Sequence, residues 1–88
     1  MSAIRKCSDA YVETDIDEEK VEMSLDSGEF FSLRDTALAA WNLIDGERDS
    51  ATIAARLAKE YATSSEAVAN DLKPFLAELE AAGLIQRS

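Results

Sequence analysis

The sequence predicts an α+β fold in which a three-stranded antiparallel sheet is followed by three helices. The first third of the chain alternates apolar and polar residues with a period of two, which is typical of half-buried strands. From residue 34 onward the apolar residues recur at helical spacing instead. The chain has 88 residues, and this length corresponds to one small domain.

Three short segments separated by polar turns account for the sheet. They are residues 11–16, 20–26 and 29–33. In the second segment Val21, Met23 and Leu25 face one way, and we expect this apolar side to be half-buried. Gly28 supplies the turn before the third segment, because glycine tolerates positive φ.

The first two helices are predicted from apolar spacing and from residues that start or stop helices. The first begins around Asp35, a residue type that caps helix N-termini, and Gly46 closes it. Its single tryptophan, Trp41, lies on the apolar face, and we expect it to be a core residue. Asp49 or Ser50 caps the second helix.

The third helix begins at the capping box 63–66, with a hydroxyl at Thr63 and a carboxylate three residues later. It ends at Gly83. Pro74 interrupts it and leaves the carbonyl of Asn70 without its usual donor. A hairpin followed by two short helices and a longer one predicts a winged helix-turn-helix domain.

The charge balance excludes several classes of function. Eighteen acidic residues stand against nine basic ones, and the formal charge is −9. Such a chain is repelled by nucleic acid phosphates. Without histidine it lacks the commonest general base and any His-containing zinc site. We therefore expect no enzyme activity, no metal, no cofactor and no nucleic acid partner.

The rest of the composition indicates a cytoplasmic protein. No apolar run approaches the roughly 18 residues that span a membrane, and the N-terminus lacks the apolar region of a signal peptide. A single cysteine, Cys7, forms no intramolecular disulfide and lacks a histidine to activate it. We expect residues 1–9 to be a flexible segment and residues 10–88 to form the domain.

The third strand is the first candidate for a binding surface. At the edge of a meander a strand exposes unpaired N–H and C=O groups, which proteins usually protect with charges or cover. Here Glu29 is the only such charge, beside Phe30 and Phe31. The protein itself covers this edge, or a second copy pairs with it in a homodimer, or a peptide adds to it as a further strand.

At this point the sequence resembles the PqqD-like family. Residues 25–37 and 41–46 follow its pattern of Leu, Gly-x-(Tyr/Phe), Leu-Asn-x-Thr-Ala and Ile-Trp-x-Leu-(Leu/Ile)-Asp-Gly. Arg34 stands where that pattern has asparagine, which shifts helix capping to Asp35. The second half of the chain agrees over residues 53–61 and from residue 71 to residue 85.

The resemblance implies a recognition element for ribosomally synthesised and post-translationally modified peptides (RiPPs). Such elements bind the leader part of a precursor peptide, which adds to the third strand and packs against the third helix. The implied strand residues are Gly28, Glu29, Phe30, Phe31, Ser32 and Leu33. The implied helix residues are Ala67, Asp71, Leu72, Pro74, Phe75, Glu78 and Leu79. We expect a basic leader residue to meet Asp71 or Glu78.

The resemblance also implies a modifying enzyme as the second partner. A leader peptidase with a cyclase, as in lasso peptide biosynthesis, is favoured. The alternative is a peptide chaperone for a radical SAM enzyme. A reading from a different class is a winged-helix transcription regulator, for which Arg48, Arg56 and Lys59 would form the basic patch.

Overall fold

The computed structural model describes residues 3–87. Its elements in chain order are β1 (Ile4–Lys6), a 3-10 turn (Ser8–Ala10), β2 (Tyr11–Ile16), β3 (Glu19–Ser24), β4 (Phe30–Leu33), α1 (Asp35–Asn42), α2 (Ser50–Glu60), α3 (Ser65–Ala81) and β5 (Ile85–Arg87). The strands β2, β3 and β4 form an antiparallel sheet in that order. This sheet followed by three helices confirms the predicted fold, and the predicted third strand is β4.

A second, two-stranded sheet joins the two ends of the described chain. Its strands are β1 and β5, which run antiparallel. The backbone of Ile4 donates to Arg48 and accepts from Gly46, each at 2.9 Å, and the Ile4 side chain is fully buried. Residues 4–6 and 8–9 thus form regular secondary structure within the segment 1–9 that the sequence predicts to be flexible. A three-residue strand is too short to show a period in the sequence. Residues 1 and 2 of that segment lie outside the described residues.

The face that the main sheet turns toward the helices differs from the prediction. Glu22 and Ser24 are fully buried on β3, whereas Leu25 is 56% exposed. Val21 and Met23 are half-buried, as expected for this side, but Leu25 lies beyond the end of β3 and is exposed, so the prediction is wrong for Leu25. The alternation correctly separates two faces, but the helices lie on the one that carries Tyr11 rather than on the more aliphatic one.

The hydrophobic core lies between this inner face and the three helices. Trp41 is fully buried, as predicted, and the Tyr11 ring meets it edge to face with centroids 5.4 Å apart. The other large, fully buried apolar residues of the core are Ile4, Leu33, Ile53, Leu57, Leu76, Leu79 and Leu84. The core thus includes residues from both sheets and all three helices.

Two of the three helix starts differ from the prediction. Arg34 is the N-cap residue of α1 and makes no side-chain cap hydrogen bond, so Asp35 is the first helical residue and not the cap. The α3 helix is capped by Ser64, which accepts from the Ala67 amide at 3.2 Å, and not by Thr63. Asp49 caps α2, as one of the two predicted alternatives.

The helix ends also differ in part. The α1 helix ends at Asn42, so Gly46, with φ +87°, lies in the following loop rather than at the helix terminus. At the end of α3 the amide of Gly83 donates to Glu80 at 3.0 Å, and the amide of Leu84 donates to Leu79 at 2.9 Å. These two bonds form a Schellman motif, which confirms the predicted end at Gly83.

Candidate functional site

The strand β4 has a strand partner on only one side among the described residues. One position before β4, the Ser24 amide donates to the Glu29 carbonyl at 2.9 Å, which marks a hydrogen-bonded pair. Such pairs alternate with non-hydrogen-bonded pairs along an antiparallel ladder. The N–H and C=O groups of Phe30 and Ser32 therefore point away from β3. We call this row of backbone groups the free edge of β4.

The two phenylalanines of β4 lie on opposite faces of the sheet. Phe31 is half-buried and packs against the core together with Leu33. Phe30 is 69% exposed, because successive side chains of a strand alternate between faces. Phe30 thus contributes its backbone to the free edge, while its side chain lies on the face away from the helices.

A small apolar cavity of about 210 Å³ lies between the first turn of α1 and the middle of α3. It is lined by Thr36, Ala37, Asp71, Leu72 and Phe75. Thr36 follows Leu33, the last residue of β4, by three positions, which limits the distance between their Cα atoms to about 11 Å. The cavity and the free edge are therefore neighbours.

The structure brings together only part of the predicted helix residues. Asp71, Leu72 and Phe75 line the cavity. Leu79 is fully buried in the core, where it supports α3. The remaining three predicted positions are exposed and lie outside the cavity lining: Ala67, Pro74 and Glu78.

The cavity lining also includes Thr36 and Ala37, which are not predicted from the sequence, although both occur in the motif that carries the family resemblance. The signal that identifies them is the short connection between elements, since β4 ends at Leu33 and α1 begins at Asp35. With one linking residue, the first turn of α1 has to lie beside the end of β4.

The acidic side chains of this region have no partner within the described chain. Neither Asp71 nor Glu78 forms a side-chain hydrogen bond or an ion pair with another described residue. Asp71 combines this with a place in the cavity lining. A carboxylate at the rim of an apolar cavity suits a ligand that has an apolar side chain next to a basic one.

A buried carboxyl lies on the inner face of the sheet behind this site. Glu22 is fully buried, is the register partner of Phe31, and has no hydrogen-bond partner for either carboxyl oxygen. Burial, with a smaller contribution from the nearby Glu13, raises its pKa to about 7 against the opposing effects of Lys20 and Lys6. Lys20 is itself paired with Glu13 at 2.7 Å.

One member of the basic patch that a transcription regulator would need, Arg48, is paired within its own loop. The Arg48 guanidinium donates to the Asp45 carboxylate at 3.0 Å and to the Leu43 carbonyl at 3.1 Å. Arg48 is thereby neutralised within its own loop, whereas Arg56 and Lys59 are exposed on α2. Two cations on one helix are few contacts for phosphate binding.

Two further kinds of feature are absent from the part of the chain that the structure describes. No helix within residues 3–87 has the length and apolarity of a membrane span. The His, Cys, Asp and Glu side chains of the same range form no group of three or more that could hold a metal ion.

Comparisons with known proteins place this geometry in a family. The model of the family described as coenzyme PQQ synthesis protein D (PqqD) matches residues 19–85. A solved structure of TbiB1 in complex with the TbiA(β) leader peptide is similar, with a TM-score of 0.77 and 31% sequence identity. The likeness covers 92% of this chain and 94% of that one. A search of curated proteins gave no match. Since the family model spans most of the sequence, the chain belongs to the PqqD family, as its motifs predict.

Proposed function

We propose that this protein is a RiPP recognition element that binds the leader region of a precursor peptide. The observation that carries the proposal is the pairing of a free strand edge with an adjacent apolar cavity on α3. It is supported by the likeness, over nearly the whole chain, to a structure of TbiB1 with a leader peptide.

In this mechanism the leader adds as an antiparallel strand to the free edge of β4. The backbone groups of Phe30 and Ser32 bond to the peptide and fix its register. Main-chain bonds of this kind supply affinity that depends little on sequence, and pockets for alternate side chains supply specificity. Every second leader side chain turns toward α3, where the cavity beside Leu72 and Phe75 accepts an apolar group.

The acidic rim adds a second element of recognition. Asp71 meets a basic leader residue that flanks the apolar one, since a charge-assisted hydrogen bond needs a donor of opposite charge. Glu78, seven positions along α3, meets the same or a further basic residue.

Binding alone accounts for this role, and the chemistry belongs to a partner. The protein delivers the bound leader to a modifying enzyme. A leader peptidase with a cyclase, as in lasso peptide biosynthesis, is our first choice, and a radical SAM enzyme is the alternative. Neither the protein nor the bound peptide needs a cofactor for this step, and the cytoplasm, where precursors are made, is the expected location.

The proposal is tested by fluorescence polarisation with a labelled leader peptide from the precursor gene beside this one. Proline at Ser32 removes an N–H from the free edge but no bond to β3, and proline is tolerated at edge positions of this kind. We expect Ser32→Pro to weaken leader binding at least about tenfold, which corresponds to about 1.4 kcal/mol.

Ser32→Ala is the matched control. It removes the hydroxyl that donates to Glu19 but keeps the backbone amide, so leader affinity should stay within about twofold of wild type. Equal affinities for the proline and alanine variants would contradict strand addition at β4. Labelled duplex DNA serves as a second ligand, and salt-sensitive binding to it without leader binding would support a regulator instead.

A further inference from the structure

The main sheet has an exposed apolar face on the side away from the helices. Val12 lies opposite Met23, and Met23 lies opposite Phe30, so these three side chains form a row across the sheet. Val12 is 48% and Phe30 69% exposed. Val21 extends the row on the same face, between Thr14 and Ser32 of the neighbouring strands. We call the four apolar side chains, Val12, Val21, Met23 and Phe30, the outer sheet face.

No element within residues 3–87 covers the outer sheet face. The helices pack on the opposite side, where Tyr11, Phe31 and Leu33 join the core. Single exposed apolar side chains are common, but a contiguous row on a flat sheet is typical of an interaction surface. The free edge of β4 uses backbone groups of Phe30, whereas the outer sheet face uses its side chain, and the α3 cavity is on the helix side of the sheet. A bound leader would therefore leave Val12, Val21 and Met23 accessible.

Acidic residues lie at both ends of the outer sheet face and favour a partner with basic residues there. The turn between β2 and β3 carries Asp17 and Glu18, both exposed, and the turn between β3 and β4 carries Asp26 and Glu29. Arg34 lies near the first pair but leaves that end acidic. In a face-to-face pair of copies, acid would meet acid in either relative orientation of the strands. This disfavours a second copy as the occupant.

We propose that the outer sheet face docks the enzyme that modifies the bound peptide, through a surface that is apolar at its centre and basic at both ends. The assignment of the partner rests on the proposed function, since that function requires an enzyme that acts on the same peptide. The enzyme then occupies the outer sheet face and the leader peptide occupies the free edge of β4, so the enzyme binds while the leader is in place.

The test measures binding of the modifying enzyme encoded beside the precursor gene by biolayer interferometry. In Val12→Thr/Met23→Gln both side chains keep about their size and lose their apolar character. We expect enzyme affinity to fall at least about tenfold, with leader affinity within about twofold of wild type. Because the substituted side chains are at least partly exposed, melting temperature and circular dichroism should confirm an intact fold.

A second variant tests the charged ends without touching the apolar row. Glu18→Gln/Asp26→Asn changes two exposed turn residues. It should weaken enzyme binding about threefold to tenfold at low salt and have little effect above about 0.5 M salt, where exposed charges are screened. Ser32→Pro provides the converse control, with leader binding lost and enzyme binding in the absence of peptide retained.

The outcomes separate this inference from the proposed function. Unchanged enzyme affinity in both variants overturns the docking surface, and so does the absence of wild-type binding to the enzyme. A wild-type dimer in sedimentation that Val12→Thr/Met23→Gln dissociates would assign the face to a second copy and also overturn it. Failure of leader binding alone, with enzyme binding still sensitive to Val12 and Met23, would refute the proposed function and leave the docking surface standing.

Discussion

Glu22 is the residue whose chemistry is least expected from its position. It occupies the centre of the inner sheet face, fully buried, with two carboxyl oxygens that lack partners. A buried charge is costly unless it is paired, and here Lys20 is committed to Glu13 at 2.7 Å. The folded protein therefore favours the protonated, neutral form of Glu22, and this is why its pKa rises to about 7.

This raised pKa predicts how stability changes with pH. An unfolded chain releases the Glu22 proton near the ordinary value of 4.5, whereas the folded protein holds it up to about 7. The folded state thus binds more protons between these values, and the free energy of unfolding falls as pH rises through the window. Glu22→Gln cannot ionise and should remove this loss, which is on the order of 2 kcal/mol after solvent screening.

Urea unfolding of wild type and Glu22→Gln at pH 5 and pH 8 measures the effect. From pH 5 to pH 8 the unfolding free energy of Glu22→Gln should increase relative to that of wild type. Glu18→Gln, on an exposed turn, is the matched control and should show no such gain. If the difference in unfolding free energy between Glu22→Gln and wild type is the same at both pH values, Glu22 is ionised in the folded protein at pH 5.

For single residues, the sequence predicts the environment of Trp41 correctly and that of the β3 side chains only in part. A lone tryptophan on an apolar helical face has few alternatives to the core in so small a domain. For β3, alternation shows that Val21 and Met23 share a face but not that helices cover it. Tyr11, Phe31 and Leu33 identify the buried face, because all three pack against the helical core and the Tyr11 ring contacts Trp41.

Among the elements, the short strand β1 connects parts of the chain that are far apart in sequence. It pairs with β5, and the backbone of Ile4 bonds to Gly46 and Arg48 in the loop between α1 and α2. Three otherwise separate parts of the chain are joined there. Short strands of this kind carry no periodic signal, so only their burial in the folded protein reveals them.

Truncation of Ile4 should therefore be far more costly than truncation of an exposed isoleucine. Ile4 is fully buried and Ile16 is 50% exposed. We expect Ile4→Ala to lower the free energy of unfolding by about 2–4 kcal/mol through lost burial and a cavity. Ile16→Ala, the matched control, should cost less than about 1 kcal/mol. Chemical denaturation of both variants measures the difference, and similar costs would show that β1 is dispensable for the core.

Element-level prediction succeeds where a long segment carries its own start and stop signals. The α3 helix has a serine cap and a Schellman motif at Gly83, and its bounds are predicted to within about two residues. The α1 helix lacks a side-chain cap, and Asp35 has φ +52°. The residue at which α1 begins is set by its short connection to β4, and the preferences of individual residues do not predict it. For the same reason, residue-by-residue analysis of the sequence does not predict that Thr36 and Ala37 line the cavity.

The molecule as a whole carries a charge of −9, so long-range electrostatics favour cationic partners before any contact forms. Inside this field, the cavity on α3 offers one carboxylate at its lining, that of Asp71. The attraction by the net charge and the contact with Asp71 depend on different properties of a ligand. The first depends on net charge alone, whereas the second depends on where a basic residue lies along the leader.

Substitutions that change net charge equally can separate these two contributions. Asp71→Asn and Glu60→Gln each remove one negative charge, but only Asp71 lines the cavity, while Glu60 ends α2. We expect Asp71→Asn to weaken leader binding about threefold to tenfold in dilute buffer, and Glu60→Gln to weaken it less than about twofold. Both differences should shrink as salt rises toward about 0.5 M. Fluorescence polarisation across a salt series measures them, and equal effects of the two variants would mean that the leader responds to the field of the whole molecule and makes no specific contact with Asp71.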